Sequence, residues 1–424
     1  MTITLLRDRN FGLLWWAGLI SIAGDWALRI VLPIDVLKLT GAPAAVSGIV
    51  LAELLASLLL GTVAGAYVDR WDRRRVVVVV NVLQALVLMP LLAVHAADRI
   101  WIVVLVAFAE SALAQFITPA ENALLPRLVA PGRLAEANSW SSVGNFIGRL
   151  IGPALGGVTV ALGLSGAAVL DAITFLLAAM LCAMIVGSHR ATVEAPRHLG
   201  RELVEGLRAL AGNRITRAIV VFLTVTALGE GMMSTLFSVY VVRAVHGGGR
   251  EMSWMLSAQA IGGILGGLIG ARVADRFRPV ALASICFAAF GLIDLAIFNY
   301  PRWGTALWPI VAMFFLVGVP AGVGYAAMMT LFQRQMPDRL RGRVFAVLGV
   351  CQAVAGMVGA VIAGGLGQSV RVIDLLTVQG AGYVLAAILM RVLAGRGPDA
   401  IIARGGGTGR IASPDEGRDR IRTA

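Results

Sequence analysis

Long apolar segments without charge recur along the whole chain of 424 residues, and they restrict its fold more than any other feature. Hydrophobic residues make up 58% of the sequence and charged residues 14%, against roughly 25% charged residues in soluble domains. A single water-soluble core does not grow large enough to bury this much apolar surface. We therefore predict an all-α integral membrane protein.

The apolar segments, bounded by charged or Gly/Pro-rich breaks, predict twelve transmembrane helices of about 20 residues or more. The predicted helices cover residues 11–38, 46–67, 76–96, 100–120, 138–162, 167–186, 218–242, 253–273, 280–299, 305–331, 344–367 and 372–394. The first segment is longer than the apolar part of a signal peptide and has no small-residue cleavage site. We expect it to be retained as the first helix.

Basic residues lie mainly on one side of these helices. Most of the 36 basic residues fall in segments that are cytoplasmic when both termini are cytoplasmic, as the positive-inside rule requires. The formal net charge of +12 therefore indicates membrane orientation, and we expect no nucleic-acid partner. We predict a multi-pass protein of the inner (cytoplasmic) membrane with both termini in the cytoplasm.

The sequence lacks the motifs of nucleotide, metal and catalytic sites. Its one lysine, Lys38, follows a leucine, whereas a P-loop requires Gly-Lys. Cys182, Cys286 and Cys351 are isolated in apolar segments, and the histidines do not have the spacing of metal ligands. We expect no enzyme activity, no catalytic residues, no metal and no cofactor.

Several short motifs recur at a constant offset of 206 residues. Asp69-Arg70 recurs as Asp275-Arg276, Pro131-x-Arg133-Leu134 as Pro337-x-Arg339-Leu340, Gly41 as Gly247 and Gly61 as Gly267. The repeat predicts two six-helix halves, residues 1–186 and 218–394. We expect residues 187–217 to form a cytoplasmic linker with an amphipathic helix, and residues 395–424 to form a disordered cytoplasmic tail. Paired bundles of this kind are typical of secondary transporters with a site at the membrane midplane.

The loop after the second helix carries a charged motif, Gly65-x3-Asp69-Arg70-x2-Arg73-Arg74. It resembles the signature loop of the major facilitator superfamily, except that Asp72 replaces the second glycine. The resemblance implies a cytoplasmic gate in which Asp69 meets the positive N-terminus of helix 11. The alternative is that the arginines only anchor the loop at the membrane surface. The predicted gating residues are Gly65, Asp69, Arg70, Arg73, Arg74, Asp275, Arg276 and Arg343.

Helix 5 contains glycines four residues apart, which form a flat strip that another backbone can approach. This strip resembles the glycine-rich motif of antiporters in the same superfamily, and helix 8 has a matching one. Ordinary tight packing is the alternative interpretation. The residues concerned are Gly148, Gly152, Pro153, Gly156 and Gly157 in helix 5 and Gly262, Gly266 and Gly270 in helix 8.

Three further segments resemble one branch of the superfamily, which contains enterobactin exporters and macrolide efflux proteins. They are Gly24-Asp25-Trp26-x2-Arg29, Pro119-Ala120-x3-Leu124-Leu125-Pro126 and residues 333–345. The resemblance extends over about residues 6–393 and implies the major facilitator fold and an export function. Drug/proton antiporters commonly have an arginine and then a glycine in helix 4, where this chain has Glu110 and Ala114. This difference argues against proton coupling through that arginine.

Ionisable side chains at the bilayer centre cost at least about 2.5–3.5 kcal/mol each and persist where they face a cavity or one another. The resemblance implies that helices 1, 4, 7 and 10 line the cavity, flanked by 2, 5, 8 and 11. The predicted substrate- or proton-binding residues are therefore Asp25, Arg29, Glu53, Glu110, Arg149 and Glu230. An Asp25–Arg29 ion pair that only orients helix 1 is the alternative for those two residues.

Other residues in the helices have a second interpretation. Asp171 and Asp294 lie on helices 6 and 9, which usually scaffold the bundle from outside, so we predict that they are structural. Met and aromatic side chains in the helices either line the pocket or simply pack; these are Trp26, Met232, Met233, Phe237 and Tyr325.

These features together predict a secondary active exporter of small amphiphilic molecules of drug, macrolide or siderophore type. We expect proton-coupled antiport by alternating access, with the lipid bilayer, protons and the cargo as the only partners of a monomer. The alternatives are an importer or a lipid flippase of the same fold, and, from another class, a membrane sensor or subunit that does not transport.

Overall fold

The computed structural model describes residues 5–61, 63–68, 70–187, 214–273, 276–335 and 338–395. Positions 66, 131, 333–335 and 338–343 are described by their backbone alone. Within this part of the chain there are twelve long helices and no β-strand. The helices are α1 (Arg9–Thr40), α2 (Pro43–Leu60), α3 (Arg73–Leu88), α4 (Ile100–Leu128), α5 (Leu134–Thr159), α6 (Gly163–Ala183), α7 (Arg214–Arg243), α8 (Gly249–Val273), α9 (Pro279–Asn299), α10 (Leu307–Gln335), α11 (Asp338–Leu366) and α12 (Val372–Ala394).

The predicted all-α membrane fold is confirmed, and each predicted segment coincides with one helix. Among the described residues, eleven helical stretches are long and apolar enough to cross a membrane. The number is eleven and not twelve because α5 and α6 fall in one continuous stretch, Leu134–Ala183. The second predicted helix is too long: α2 ends at Leu60, and a separate short helix, Ala64–Val68, follows it. Helix α4 is longer than predicted and continues through Pro119 and Pro126.

Polar caps and left-handed glycines set several helix ends. The Asp8 carboxylate accepts the backbone N–H groups of Asn10 and Phe11 at 3.2 and 3.3 Å and so begins α1. Helix α1 ends at Gly41, whose φ of 65° is strained for residues with a Cβ atom. Gly163, with a φ of 64°, likewise separates α5 from α6.

The two halves use the same set of helix pairs. In the N-terminal half α1 packs on α5 and α6, α2 on α4, and α3 on α4 and α6. In the C-terminal half α7 packs on α11 and α12, α8 on α10, and α9 on α10 and α12. The halves meet through α2 against α11 and α5 against α8, which are equivalent pairs. This arrangement matches the predicted pseudo-repeat of six-helix bundles.

The halves are joined at one end of the bundle, which we call the 41–42 end after its first turn. Turns 160–162, 244–248 and 367–371 lie at the same end, and turns 70–72 and 276–278 lie at the opposite, 70–72 end. Four hydrogen bonds between described residues connect the halves, and all four lie near the 41–42 end. They run from Ser47 to the carbonyl of Ala360 (2.7 Å), from Arg243 to that of Gly41 (2.6 Å), from Gln368 to that of Gly41 (3.5 Å), and from Ser253 to that of Pro153.

A polar stripe on α5 indicates where the halves are apart. Asn138, Ser142, Asn145 and Arg149 share one helix face and are exposed. The first three lie in the half of α5 nearer the 70–72 end, and Arg149 lies just past its middle. Lipid tails do not accommodate such a row of polar side chains. We therefore infer that the stripe faces water at the 70–72 end, where no hydrogen bond between described residues joins the halves.

The glycine strips lie in the closest helix contacts. A Cβ atom at Gly156 would lie 2.7 Å from the Ile30 side chain on α1, and one at Gly270 would lie 3.2 Å from the Val323 backbone on α10. Added Cβ atoms at Gly148, Gly152, Gly262 and Gly266 would collide in the same way with α1 or α10. The strips thus bring α5 against α1 and α8 against α10 at backbone distance.

Some predictions fall on parts of the chain outside the described residues. These are the amphipathic helix of the linker, within residues 188–213, and the tail from residue 396 onward.

Replacing Gly266 by alanine is expected to destabilise the protein. The new Cβ atom would lie 2.9 Å from the carbonyl carbon of Val319, so α8 and α10 would have to separate at a cost of about 1–3 kcal/mol. Gly267→Ala is the matched control, because no atom lies within 4 Å of its added Cβ and alanine is the better helix former. Thermal unfolding of the purified protein should show a lower midpoint for Gly266→Ala only. Equal midpoints would contradict the tight contact.

Candidate functional site: a charged central cavity

A cavity of about 320 Å³ lies between the two halves. Pro33, Val46 and Leu91 are on its wall on the side of the 41–42 end, where the halves close it. Seven ionisable side chains line the same cavity: Asp25, Arg29, Glu53, Glu110, Asp171, Glu230 and Asp294. Their helices belong to both halves, so the cavity is one site built by the whole bundle.

Arg29 is the centre of the charges contributed by the N-terminal half. It interacts electrostatically with Glu53, Glu110, Asp25 and Asp171, which come from four different helices. Its guanidinium forms no ion pair within 4.0 Å in the described part of the chain, so the Asp25–Arg29 pair is not closed in this structure. Arg29 is exposed although it lies well inside α1, and its accessible surface therefore faces the cavity. The positive charge of Arg29 thus compensates these four carboxylates without forming a close ion pair with any of them.

Neutral donors hold two of these carboxylates. The buried Gln84 amide on α3 donates to Glu110 Oε1 at 3.3 Å, and the Thr174 hydroxyl donates to Asp171 Oδ1 at 3.1 Å. A side chain at position 24 of α1 would collide with Thr174 and Asp171, so Gly24 is what admits Asp171 beside α1. Asp25 Oδ1 is buried and has no hydrogen-bond partner among the described residues.

Trp26 lies between two arginines. The guanidinium carbon of Arg29 is 5.8 Å from the centre of the Trp26 ring, and that of Arg149 is 5.6 Å from it. Both are distances at which a cation is attracted to the ring face. Arg149 itself belongs to the polar stripe of α5 and is not on the cavity wall. Arg149 is therefore connected to the cavity through the Trp26 indole ring.

The C-terminal half contributes a second acidic group made of Glu230 and Asp294. The Tyr383 hydroxyl donates to Glu230 Oε2 at 3.4 Å, and the Gln379 amide donates to Asp294 Oδ2 at 3.2 Å. Glu230 is exposed to the cavity, whereas Asp294 is only 5% exposed. Gln379 Oε1 is buried and has no hydrogen-bond partner in the described part of the chain.

No basic residue compensates this second group from within its own half. The middle of α7 to α12 contains no lysine, arginine or histidine in residues 218–242, 251–271, 279–299, 307–332, 344–366 and 372–390. Glu230 and Asp294 interact electrostatically with each other. Two neighbouring carboxylates without a counter-charge cannot both ionise at low cost, and they favour binding a proton or another cation.

The structure changes the assignment of two acids. Helix order predicts that Asp171 and Asp294 lie outside the cavity, on scaffolding helices, and are structural. This placement is wrong, because both residues line the cavity. Helix α6 packs directly on α1 at Gly24, and Asp294 reaches the wall beside Gln379 of α12. Asp25, Arg29, Glu53, Glu110 and Glu230 do lie on the wall, where their binding roles stay predictions.

The uncharged residues divide as follows. Trp26, Met233 and Phe237 line the cavity, whereas Met232 is 2% exposed within the core and Tyr325 is 63% exposed away from the cavity wall. Three further polar residues at the site, Gln84, Gln379 and Tyr383, are not among the predicted ones. The two glutamines could have been found, because an amide inside an apolar segment is also a signal of a polar site.

The gating motif is described only in part. Arg73 donates to the carbonyl of Ala123 at 3.3 Å on α4, and Arg74 to those of Cys182 (3.2 Å) and Ala183 on α6. These bonds tie the start of α3 to its two neighbours, and they test neither the gate nor anchoring at the membrane surface. Arg70 and Arg276 are exposed, and no atom lies within 4 Å of a Cβ added at Gly65. Asp69, Asp275 and the Arg343 side chain lie outside the described residues, so the gate stays a prediction.

Comparison with known proteins agrees with this architecture. The model of the Major Facilitator Superfamily matches residues 14–242 and 219–413. The multidrug efflux pump Tap of Mycobacterium tuberculosis is 30% identical over 379 residues, covering 85% of this chain and 88% of the relative. Macrolide efflux protein A of Streptococcus pyogenes is 23% identical over 391 residues, covering 88% of this chain and 93% of the relative.

Two solved structures share the fold. A bacterial homologue of the iron transporter ferroportin, in an inward-facing state, superimposes with a TM-score of 0.70 at 18% identity, covering 92% of this chain and 100% of the other. A bacterial homologue of the lysosomal transporter Spinster, also inward-facing and unoccupied, gives 0.66 at 13% identity, covering 92% and 96%.

Arg29→Gln is expected to lower the thermal midpoint by several degrees, because it leaves the surrounding carboxylates without a positive charge. A second change, Glu53→Gln, should recover part of the loss by restoring the charge balance. Arg149→Gln is the control, since Arg149 contacts Trp26 and lies off the cavity wall. Similar losses for Arg29→Gln and Arg149→Gln, with no recovery in the double variant, would contradict charge compensation by Arg29.

Proposed function

The chain belongs to the major facilitator superfamily, whose members are transporters and not enzymes, and we propose that it exports small amphiphilic molecules in exchange for protons. It works as a monomer in the cytoplasmic membrane, with both termini in the cytoplasm. Its halves, residues 1–186 and 218–394, rock against each other, joined by the linker 187–217 and followed by the tail 395–424. The cargo is of drug, macrolide or siderophore type.

One observation carries this proposal: ionisable side chains from both halves converge on a single cavity. Such groups are too costly to keep in contact with lipid tails, so the cavity is where the chain holds water, ions or polar cargo. The cavity is closed at the 41–42 end, and the polar stripe of α5 leads toward the 70–72 end. With the basic 70–72 end in the cytoplasm, this is the state in which an exporter takes up cargo.

The names of two relatives support export over import. The mycobacterial relative is named a multidrug efflux pump, and the streptococcal relative is named a macrolide efflux protein. Both match along most of their own length, so the comparison includes both halves and the cavity between them. A siderophore cargo has only the support of the branch resemblance in the sequence.

The cavity favours a cationic amphiphile as cargo. Its wall carries six carboxyl groups and one arginine, so it is acidic overall. Apolar and aromatic surface lies beside these acids: the Phe290 and Tyr383 rings are 4.7 Å apart, and the Phe237 and Phe314 rings are 5.5 Å apart. Aromatic faces next to carboxylates suit a ligand that combines a positive charge with apolar groups.

The difference between the two acidic groups supports proton coupling. Arg29 compensates the carboxylates of the N-terminal half, whereas the middle of the helices that carry Glu230 and Asp294 contains no basic residue. A proton taken up from outside neutralises one carboxylate of this second pair. A cationic cargo from the cytoplasm supplies the same charge and favours release of the proton there. Alternate binding of the two ligands then drives the exchange.

The movement between states occurs at the two interfaces between the halves. A Cβ atom at Gly157 of α5 would lie 2.7 Å from Ser253 Oγ of α8, and one at Gly364 of α11 would lie 2.5 Å from the Ser47 side chain of α2. These contacts hold the 41–42 end closed in the present state. Opening that end requires them to separate, while the halves themselves keep their internal packing.

Glu230→Gln is expected to abolish proton-driven efflux, a loss of about tenfold or more, because the amide cannot exchange a proton. Asp374→Asn is the matched control in the same half, since this acid pairs with Arg302 at the 41–42 end, away from the cavity. Efflux of macrolides, cationic dyes and siderophores would be measured in an efflux-deficient host, together with membrane expression.

Unchanged efflux by Glu230→Gln would remove this residue from the coupling mechanism. Energised vesicles distinguish the direction of transport. Cargo that accumulates on the cytoplasmic side would contradict export and support an importer, and lipid transfer between leaflets without cargo efflux would support a flippase.

Asp69→Asn is expected to shift the protein toward the state open at the 70–72 end, because the lost charge weakens the closing contact with the N-terminus of α11. In a cysteine-free background, spin labels at Ser139 and Phe277, exposed positions at that end of the two halves, should report longer distances. Asp98→Asn, an exposed acid at the opposite end, is the control. Distance distributions identical to the parent would contradict the gate.

A further inference from the structure

A groove of about 720 Å³ lies between α3 and α4 near the 70–72 end. Its apolar walls are formed by Val76, Val79, Val80 and Leu83 of α3 and by Leu113 and Phe116 of α4. Its mouth is formed by Arg70, Trp71, Asp72 and Arg75. None of these residues lines the central cavity, so the groove is a separate site on the outside of the N-terminal half.

The groove faces the surrounding membrane. Val79, Leu83 and Leu86 share one face of α3 and are 53%, 40% and 59% exposed. Such an apolar helix face in a membrane protein is in contact with acyl chains. From Arg75 to Leu83 the helix rises about 12 Å, close to the ~15 Å depth of hydrocarbon in one leaflet. The groove therefore has the length and polarity to hold an acyl chain.

The arginines at this end divide into two kinds. Arg73 and Arg74 donate to backbone carbonyls and are part of the helix packing. Arg70 and Arg75 are exposed and lie at the mouth of the groove, and their guanidinium groups have no hydrogen-bond or ion-pair partner in the described part of the chain. Asp72, between them, accepts the backbone N–H of Arg75 at 3.0 Å as the cap of α3. Two free guanidinium groups thus lie beside an apolar channel.

We propose that the groove binds an anionic glycerophospholipid. Its phosphate lies between Arg70 and Arg75, because guanidinium groups bind phosphate oxygens with paired hydrogen bonds. One acyl chain follows Val79 and Leu83 into the membrane. Trp71, whose ring is 5.8 Å from that of Tyr67, lies at the headgroup level that interfacial tryptophans prefer.

The equivalent region of the C-terminal half provides an internal comparison. By the offset of 206 residues, Arg70 corresponds to Arg276, whereas Arg75 corresponds to Ala281. The C-terminal half thus has basic residues at the same membrane surface, Arg276 and Arg278, without the pair that flanks the groove. A specific lipid site should therefore be confined to the N-terminal half, whereas attraction of anionic lipids to basic surface charge would involve both halves.

The test is lipid binding to the purified full-length protein in detergent, measured by native mass spectrometry. We expect phosphatidylglycerol to bind more tightly than phosphatidylcholine. Arg70→Gln combined with Arg75→Gln should weaken phosphatidylglycerol binding by about thirtyfold, the product of the two arginine contributions. Arg276→Gln combined with Arg278→Gln is the matched control and should leave binding within about twofold. Equal losses in both double variants, or equal binding of the two lipids, would overturn the proposal.

A second variant tests the channel without changing its charges. Val79→Trp fills the groove and leaves Arg70 and Arg75 in place, and it should also weaken phosphatidylglycerol binding. A thermal midpoint equal to that of the parent shows that this variant is folded. If Val79→Trp binds phosphatidylglycerol as tightly as the parent does, or if inorganic phosphate alone displaces the lipid, the placement of the acyl chain is overturned. Dimer formation after lipid removal would instead assign the groove to a second copy of the chain.

Discussion

The cost of placing an ionised side chain among lipid tails is the constraint on which the rest of the structure depends. It forces every charge in the middle of the helices to face another helix or water. The charged side chains of both halves accordingly meet in the central cavity, and the exposed polar stripe of α5 lies where the halves separate. A cavity that water or cargo can enter is thus a requirement of this sequence once its helices have crossed the membrane.

Close packing of helix backbones makes such a cavity mechanically possible. Glycine strips bring α5 against α1 and α8 against α10, and Gly359 of α11 meets the backbone of α7 in the same way. Because these contacts have no flexible side chains to adjust, each half resists internal deformation. The interfaces between the halves depend on fewer contacts, at α2 with α11 and at α5 with α8. Motion is therefore easiest between the halves and hardest within them.

The sequence predicted the helices well because an apolar segment about 20 residues long has few alternatives in a membrane. It did not predict the break after Leu60, since the residues there remain apolar and the break depends on local backbone geometry. It placed Asp171 and Asp294 wrongly because helix order was used as a guide to position. Which face of a helix points inward depends on tertiary contacts, such as the room that Gly24 leaves for Asp171. The amide partners were missed for the same reason, because a hydrogen bond between helices has no local sequence pattern.

The two halves share the same internal helix packing, but they do not share the same charged residues. Equivalent helices pair in both halves, yet the residue equivalent to Arg29 by the 206-residue offset is Thr235, and the one equivalent to Glu53 is Gln259. Thr235 is 0% exposed, and its hydroxyl donates to a carbonyl of its own helix. One half thus contains its own counter-ion, whereas the carboxylates of the other half reach neutrality only by binding something from outside. A fully symmetric pair of bundles would not have this difference, on which the proposed coupling to protons depends.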